Sequence, residues 1–447
     1  MFPLLETALI ASLAGLSHQS AIPRASDSDT LAPLKFNSNG TFQIAIFSDL
    51  HFGQYESTTG PEQDSNSVRV IEDVLDYEIP DLVVLNGDLI SGDEAYAENS
   101  TLYLDQIVAP IVERNLTWAS TYGNHDHNYN LDAEALYERE HLWTNSRTQK
   151  MVNATKAGVT NYYLPVYASN CTSSTSCVPE LLLWFFDSRG GYYFQGEAQP
   201  DWVDTSVVKW FNETNTALVE KYDKMIPSLA FVHIPVNASW ALQVESGVHP
   251  HHQPGIDNEP PVAQQGAGWC PDADPEKMCV YGEQDVPFME ALVAIPGIIG
   301  LFSGHDHGNT WCYKWDSLVE GMNITGNGIN LCYGQHSGYG GYGDWIRGAR
   351  EIVVTQDKLS ELAVDTHIRL ESGDVVGAVS LNSTYNEDYY PATPDVKTYM
   401  SDASEALSAA SSTLRNGPWP LQEQSSTGFL AVAVYLGLWT YVLLGPS

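Results

Sequence analysis

The stretch FQIAIFSDLH, residues 42–51, is a short apolar run followed by two side chains that can bind a metal, Asp49 and His51. A run of this length that gives way to polar residues predicts a buried strand, here from Phe42 to Phe47. A second run, Leu82 to Leu85, leads into Asp88, and apolar residues at helical spacing lie between the two runs: Val68, Ile71, Val74 and Leu75. The pattern predicts two parallel strands joined by a helix in a right-handed crossover.

Four further apolar runs are also followed by polar residues. They are Leu116 to Tyr122 before Gly123-Asn124-His125-Asp126, Leu181 to Phe186 before Asp187, Leu229 to Val232 before His233, and Ile298 to Phe302 before Gly304-His305-Asp306-His307. Because ligands of open α/β sheets bind at the carboxyl ends of strands, we expect these loops to share a site. After Arg350, alternating stretches at 351–355, 366–370 and 375–381 predict antiparallel strands that complete a second sheet.

The side chains that follow the strands suit metal binding. They are carboxylates, one amide and imidazoles: Asp49, His51, Asp88, Asn124, His233, His305 and His307. Such oxygen and nitrogen donors fit zinc, manganese or iron without a thiolate, and one carboxylate can bridge two cations. The chain has no phosphate-binding Gly-x-x-x-x-Gly-Lys loop, no Gly-x-Ser-x-Gly elbow and no His-Glu-x-x-His helix, which favours the metal interpretation.

This ordered set resembles the calcineurin-like metallophosphoesterase superfamily over roughly residues 40–385. The motifs are Asp49-x-His51, Gly87-Asp88, Gly123-Asn124-His125-Asp126, His233 and Gly304-His305-x-His307. Within the superfamily the chain is most similar to the purple-acid-phosphatase-related branch of fungi and plants, on the runs at 232–235, 304–307, 328–333 and 348–350. The resemblance implies an α/β fold, a four-layer αββα sandwich of two mixed sheets flanked by helices, as one catalytic domain.

The resemblance also implies a ligand set and a reaction. One metal ion would be held by Asp49, His51, Asp88 and His307, and the other by Asp88, Asn124, His233 and His305. The ions would be a divalent or mixed-valence pair of zinc, iron or manganese, and a hydroxide bridging them would attack a phosphate ester. We expect His125 to act as general acid or to stabilise the phosphoryl oxygens, and Asp126 to orient it.

Two positions depart from the purple enzymes themselves. Ser91 stands where those enzymes carry the tyrosine whose phenolate binds ferric iron, and His51 stands where they have glycine. The resemblance therefore argues against a tyrosinate-ferric centre, and we predict a colourless protein.

Several other residues have two interpretations. His127, His336, Arg347 and Arg350 could line the phosphate pocket or be ordinary surface and strand-edge residues. The Gly- and Pro-rich stretch from Glu245 to Trp269 could be a substrate-shaping lid or a plain loop. Three aromatic residues lie among the glycines at 338–343 or just after them. They could pack against a leaving group or cover the protein surface: Tyr339, Tyr342 and Trp345.

Charge narrows the range of partners. The chain has 56 acidic against 20 basic residues, a formal net charge of -36. This charge would repel nucleic acids and anionic membranes, so we expect no nucleic acid binding.

Three features predict export. Residues 1–24 resemble a signal peptide, although Glu6 precedes the apolar segment and no basic residue does; a buried N-terminal helix is the alternative. Six cysteines could pair in sequence order, Cys171 with Cys177, Cys270 with Cys279 and Cys312 with Cys332, or remain reduced thiols. Nine Asn-x-Ser/Thr sites suggest a glycosylated surface: Asn39, Asn99, Asn115, Asn153, Asn170, Asn212, Asn237, Asn323 and Asn382.

The C-terminal region predicts attachment. A polar, Ser-rich spacer at 386–427 precedes an apolar tail at 428–447, and no basic residue follows it. This layout is typical of a glycolipid-anchor signal, with a membrane helix or a disposable tail as alternatives. Together the features predict a protein that is secreted or on the cell surface, with membrane or wall attachment through the anchor.

Three functions follow for testing. The first is a phosphomonoesterase that acts on phosphate esters outside the cell. The second is a phosphodiesterase acting on a nucleotide or a sphingomyelinase-like headgroup substrate, and the third is a non-catalytic surface protein that keeps the fold as a scaffold.

Overall fold

Two β-sheets form the centre of the protein in the computed structural model, which describes residues 31–128, 130–191, 193–194, 197–198, 202–259 and 281–400. Sheet I has six strands in the order β15-β14-β13-β2-β3-β4. Its strands are β2 (Thr41–Phe47), β3 (Leu82–Asn86), β4 (Trp118–Thr121), β13 (Gly348–Thr355), β14 (Val364–Leu370) and β15 (Val375–Leu381).

Sheet II has seven strands in the order β1-β5-β6-β9-β10-β12-β11. They are β1 (Leu34–Lys35), β5 (Tyr162–Tyr167), β6 (Pro179–Phe186), β9 (Ser228–Val232), β10 (Ile298–Ser303), β11 (Cys312–Trp315) and β12 (Ile329–Tyr333). A separate two-stranded ribbon pairs β7 (Tyr193–Phe194) with β8 (Glu197–Ala198).

Both sheets are mixed. In sheet I, β2, β3 and β4 are parallel, and β13, β14 and β15 add antiparallel strands at one side. In sheet II, β6, β9, β10 and β12 are parallel. At its sides, β11 is antiparallel to β12 and β5 is antiparallel to β6, and β1 pairs with β5 in parallel. The predicted parallel unit and the three late antiparallel strands are both present.

In the described part of the chain, six α-helices cover the outer faces of the sheets. They are α1 (Gly60–Tyr77), α2 (Ser100–Glu113), α3 (Ala133–Glu140), α4 (Thr205–Tyr222), α5 (Asn237–Ala241) and α6 (Val286–Ala294). Pro61 lies in the first turn of α1, which its fixed backbone angle suits.

The alternation of side chains along the strands creates the layers. On β2, Phe42, Ile44 and Ile46 pack between the two sheets, whereas Ala45 and Phe47 pack against the helices α1 and α2. On β9, Leu229 and Phe231 likewise face the space between the sheets, and their neighbours Ala230 and Val232 join the core under α4 and α6. Because side chains of a strand alternate between its two faces, each sheet is buried on both sides, and the fold is a four-layer αββα sandwich.

The predicted strands are present, with starts that differ by up to three residues. The strand β13 begins at Gly348, three residues before its predicted start, and β6 and β14 each begin two residues early, at Pro179 and Val364. The run from Leu116 was expected to start a strand, but β4 begins at Trp118. Leu116 instead ends the turn after α2, where its N–H donates to Ile111 O at 3.0 Å.

Two of the three predicted disulfides are formed, Cys171–Cys177 and Cys312–Cys332. The second joins register partners on β11 and β12. The predicted Cys270–Cys279 pair lies outside the described residues, as do the predicted leader at 1–24 and the tail at 428–447. Among the residues that the structure does describe, no helix is long and apolar enough to cross a bilayer.

Candidate metal centre

The predicted ligands lie at the carboxyl ends of strands from both sheets. Asp49 and His51 follow β2, Asp88 follows β3, His233 follows β9, and His305 and His307 follow β10. Several of these residues adopt left-handed backbone angles that are uncommon outside glycine, with φ of 57° at Asp49, 51° at His51, 49° at Asp88 and 76° at His305. Such strain is typical of functional sites, because the surrounding fold must hold it in place.

Asp88 lies at the centre of the cluster. Its Oδ2 is 3.0 Å from His233 Nε2 and 3.8 Å from His51 Nε2, and its Oδ1 accepts the backbone N–H of His125 at 2.8 Å. Asp88 forms one three-residue ligand group with His233 and His305, and a second with His51 and His125, in which the ligand atoms lie within 4.8 Å of one another. A carboxylate shared in this way is suited to bridging two cations.

Asp49 belongs to a neighbouring group. Its Oδ1 lies 3.5 Å from His307 Nε2 and accepts the backbone N–H of His305 at 2.9 Å. With His51 and His307 it forms a further buried triad of ligand atoms within 4.8 Å. The two sides of the site therefore meet around Asp49 and Asp88.

Hydrogen bonds from outside the site orient the histidines. The Nδ1 of His233 donates to Asn86 O at 2.9 Å, and the Nδ1 of His307 donates to Tyr342 O at 2.8 Å. A proton on Nδ1 leaves a lone pair on Nε2, which is the atom that faces the carboxylates. The Nδ1 of His51 bonds the hydroxyl of Ser91 at 3.1 Å, so Ser91 supports a histidine at the position where the purple enzymes carry a tyrosine ligand.

Two glycines allow these loops to approach one another. A Cβ on Gly123 would lie 2.3 Å from Asp88 Oδ1, and a Cβ on Gly87 would lie 2.4 Å from His233 Nδ1. Any side chain at either position would push a ligand away.

The donor set fits two metal ions. Burial lowers the pKa of both His51 and His305 to about 3, so both imidazoles are neutral near pH 7, as metal ligands must be. The amide oxygen of Asn124 is buried without a hydrogen-bond partner in the described part of the chain. An unpartnered buried acceptor is costly unless a cation occupies the space before it.

The aspartates are ionised. Burial opposes ionisation of Asp49, but the hydrogen bond and charge of His307 and the charge of His233 outweigh it and lower the pKa to about 2. Asp88 is likewise desolvated, and the surrounding histidines hold its pKa well below the ordinary range. Two anionic carboxylates among neutral or cationic imidazoles are a suitable environment for divalent cations.

His125 is paired with Asp93, not with Asp126 as expected. The Nδ1 of His125 lies 3.0 Å from Asp93 Oδ1. The buried carboxylate of Asp126 instead accepts the backbone N–H groups of Leu89, Ile90 and Gly123 at 2.9–3.2 Å. Asp126 thus ties the loop of Asp88 to the loop of Asn124, and the expected orienting contact is corrected to Asp93.

The four weaker phosphate-pocket candidates lie elsewhere. Arg347 donates to the carbonyls of Gly338, Gly343 and Trp345, and Arg350 to Tyr333 O, Thr310 O and the Thr366 hydroxyl. His127 is 2.8 Å from Asp187 Oδ1, and His336 is buried with its ring 3.9 Å from that of His307. Each stabilises the loops around the site, and none of the four lines the cavity above the cluster.

That cavity has a volume of about 320 Å³ and ten lining residues: His51, Gln54, Tyr55, Asp88, Asn124, His125, His305, His307, Gly341 and Tyr342. Of the three late aromatic residues, only Tyr342 lines it. Tyr339 is buried and hydrogen-bonds Glu371, and Trp345 packs over Gly308, where a Cβ would lie 2.6 Å from its ring. In the Gly- and Pro-rich stretch that begins at Glu245, Glu259 accepts the N–H of Gly308 at 2.7 Å. Residues 260–269 of that stretch lie outside the described residues.

Sequence reasoning missed Asp93, Tyr55 and Gln54. Asp93 lies five residues after Asp88 on the same loop, a position that could have been weighed as a partner for a histidine. Gln54 and Tyr55 follow the first ligand pair directly, but nothing in their sequence spacing indicates that they turn back over the cavity.

The chain is similar to several known proteins. The sequence pattern of the calcineurin-like phosphoesterase family matches residues 42–309. The chain is 27% identical over 352 residues to "Probable inactive purple acid phosphatase 29" of Arabidopsis thaliana, covering 73% of this chain and 79% of that protein. It is 29% identical to "Phosphatase DCR2" of Saccharomyces cerevisiae, covering 67% of this chain and 49% of the yeast protein. A solved dimetal phosphatase from Danio rerio aligns with 76% of this chain and 98% of its own, at 12% identity and a TM-score of 0.45.

Proposed function

Because the chain belongs to the calcineurin-like phosphoesterase family, we propose that it is a dinuclear-metal enzyme that hydrolyses phosphate monoesters. The observation that carries the proposal is the convergence of three groups of metal-binding side chains on Asp49 and Asp88, at one edge shared by both sheets. The names of the plant relatives call them "probable inactive", so catalysis by this chain is the point to test. In its favour, no predicted ligand position is replaced by a residue that cannot bind a metal.

The ligands divide into two sets around Asp88. We assign Asp49, His51, Asp88 and His307 to one ion, and Asp88, Asn124, His233 and His305 to the other. When bound, the two ions supply the Lewis acidity that activates water and neutralises phosphoryl charge. The identity of the ions, zinc, iron or manganese, is open, since the donors suit all three.

His125 is positioned to donate a proton to the leaving group. Burial lowers the pKa of His125, but the charge of Asp88 and the bond to Asp93 raise it more strongly, to about 9. Both partners favour the protonated ring. Because Asp93 engages Nδ1, Nε2 is the nitrogen that can donate to the ester oxygen or to the phosphoryl oxygens.

A paired assay tests the proposal. The purified, metal-loaded protein would be given p-nitrophenyl phosphate and bis(p-nitrophenyl) phosphate, with elemental analysis of the same sample for zinc, iron and manganese. We expect two metal ions per chain and a higher kcat/KM on the monoester. A higher kcat/KM on the diester would support the phosphodiesterase alternative, and no turnover of either by a fully loaded protein would support the scaffold alternative.

Variants connect that activity to the cluster. Asp88→Ala and Asn124→Ala should each lose metal and abolish turnover of both substrates. Asn37→Ala, which removes an exposed amide that bonds Asp81, is the control and should behave as wild type. Unchanged activity in either ligand variant would refute the site assignment.

We also propose export and surface attachment, on the sequence features described above. Eight of the nine glycosylation sites place their asparagine at least partly in contact with solvent, but Asn237 is only 2% exposed and its N–H is bonded by Asp285. Asn237 should therefore carry no glycan. Mass spectrometry of the protein recovered from cells or medium would test this, and detection of residues 435–441 in the mature protein would refute removal of the tail.

A further inference from the structure

Part of the cavity over the metal centre is left for the alcohol portion of a substrate. Six of its ten lining residues belong to the metal cluster or to its proton donor, and the other four are Gln54, Tyr55, Gly341 and Tyr342. We call these four residues the leaving-group side. None of the ten lining residues is a lysine or an arginine.

Tyr55 is held at this side in a conformation that an aromatic residue rarely adopts. Its φ is 50°, in the left-handed region, and the residue is about half exposed, at 51%. The carbonyl of Tyr55 accepts the N–H groups of Thr58 at 2.9 Å and Gly60 at 3.1 Å, and its own N–H donates to Glu94 at 3.3 Å. An exposed ring that the backbone is constrained to present at a cavity indicates a binding role, because packing does not require it.

Tyr342 presents a second aromatic ring. It stacks on His307 with ring centres 3.9 Å apart and an interplanar angle of 8°, and its hydroxyl hydrogen-bonds Glu259. The ring is therefore fixed in orientation while 45% of the residue remains exposed. Two tyrosines thus line the same cavity beyond the metal ligands.

Carboxylates lie directly behind these residues. Glu94 accepts from the Gln54 amide at 3.3 Å and from the N–H of Tyr55 at 3.3 Å, Glu259 bonds Tyr342, and Asp93 bonds His125. Gln54 in turn accepts the N–H of Gly341 at 2.8 Å and so joins both ends of the leaving-group side. Carboxylates therefore bond this side of the cavity, whereas the phosphate itself would be neutralised at the metal cluster.

From this arrangement we propose that the preferred substrates are phosphate monoesters of amino alcohols, whose ammonium group lies against Tyr55 and Tyr342. The proposal rests on the proposed phosphatase function and names its substrate class. Aromatic faces backed by carboxylates bind organic cations, since the ring faces and the acids both attract positive charge. Hydrolysis would break the bond between phosphorus and the ester oxygen, form a bond from phosphorus to water oxygen, and release the amino alcohol after transfer of one proton to that oxygen.

The same features disfavour two other substrate classes. A substrate with a second phosphate would place that group among carboxylates, and none of the described lining residues is a lysine or an arginine that could meet it. A neutral planar leaving group could stack on the tyrosines, but it would gain nothing from Glu94 or Glu259. The deciding experiment therefore compares two substrates that have the same shape and differ in the charge of the alcohol portion.

The test compares phosphocholine with its neutral analogue, in which a tert-butyl group replaces the trimethylammonium group. For the metal-loaded full chain we expect kcat/KM to be about tenfold higher for phosphocholine, from the usual strength of cation–π contacts with added carboxylates. Free choline should inhibit hydrolysis of p-nitrophenyl phosphate more strongly than the matching neutral alcohol. Equal kcat/KM for the two esters, or a preference for the neutral one, would overturn the proposal.

Variants assign the preference to particular groups. Tyr55→Phe keeps the aromatic face and should keep the preference, whereas Tyr55→Asn, which tolerates the left-handed backbone, should reduce it to about threefold or less. Glu94→Gln removes the charge and keeps hydrogen-bonding capacity, and it should also reduce the ratio. Tyr77→Ala, at a tyrosine that is 55% exposed on the last residue of α1, is the control and should leave the ratio unchanged.

The ratio separates this proposal from the function on which it rests. Turnover of p-nitrophenyl phosphate without selectivity for the ammonium ester would overturn the substrate class and leave the phosphatase function standing. Absence of turnover on every monoester by the loaded protein would overturn the phosphatase function itself. A preference that survives in both Tyr55→Asn and Glu94→Gln would refute the role assigned to the leaving-group side.

Discussion

Replacing Asp93 by asparagine should slow catalysis by weakening the partner of His125. The two side chains are joined by a 3.0 Å contact between Nδ1 and Oδ1, and they are 31% and 33% exposed. A hydrogen bond to a charged group is worth about 1.5–3 kcal/mol when protected from water. Because both groups are partly solvated, screening reduces this to about 1–1.5 kcal/mol, so we expect a roughly 5- to 12-fold loss of kcat/KM.

The assay can also show what His125 does. If His125 protonates the leaving group, Asp93→Asn should slow phenyl phosphate more than p-nitrophenyl phosphate, because the poorer leaving group depends more on a proton. Equal losses on the two esters would instead favour stabilisation of the phosphoryl oxygens.

The control is Asp76→Asn, which removes a carboxylate that is 68% exposed and paired with Arg114; it should leave kcat/KM unchanged. Activity of Asp93→Asn within about twofold of wild type on both substrates would refute the coupling between Asp93 and His125.

Three further predictions concern support of the site, pH and colour. Asp126→Ala leaves three buried backbone N–H groups without an acceptor, at a cost of about 1–3 kcal/mol each. Thermal unfolding should therefore show a free energy of unfolding lower by about 3 kcal/mol or more, together with reduced metal content. Wild-type stability and metal content would contradict this. Burial raises the pKa of Glu351 to about 8, above its ordinary 4.5, so between these values the folded chain keeps a proton that the unfolded chain has released. The free energy of unfolding should therefore fall as pH rises through that window, and denaturant titrations of Glu351→Gln should show a smaller fall; an equal fall would exclude this residue as the cause. Because Ser91 replaces a tyrosine ligand, the iron-loaded protein should lack the visible iron-phenolate band, and its appearance in an absorption spectrum would show that another tyrosine binds iron.

The sequence went far in predicting the fold because the strands are short and apolar and end in recognisable loops. The alternation along β2 already indicates a strand with two buried faces. The sequence could not predict where β4 begins, because Leu116 is as apolar as the strand residues that follow it.

Pairings between side chains from different loops were harder to predict. Asp126 was expected to orient His125 because the two are adjacent in sequence. Both lie in a short 3₁₀ helix, His125–His127, in which adjacent side chains point in different directions. The Asp126 carboxylate meets backbone N–H groups at residues 89, 90 and 123, while Asp93 reaches the His125 ring from the neighbouring loop.

The sequence by itself determined the order of strands and helices and the types of donor atoms, because both depend on local periodicity and on the chemistry of single residues. The four-layer sandwich followed from the family resemblance. Only the tertiary structure decided which carboxylate serves which histidine, that Ser91 bonds His51, and that Tyr55 turns back over the cavity. These contacts depend on how loops from separate strands pack in three dimensions, and the spacing of residues along the chain does not encode those distances.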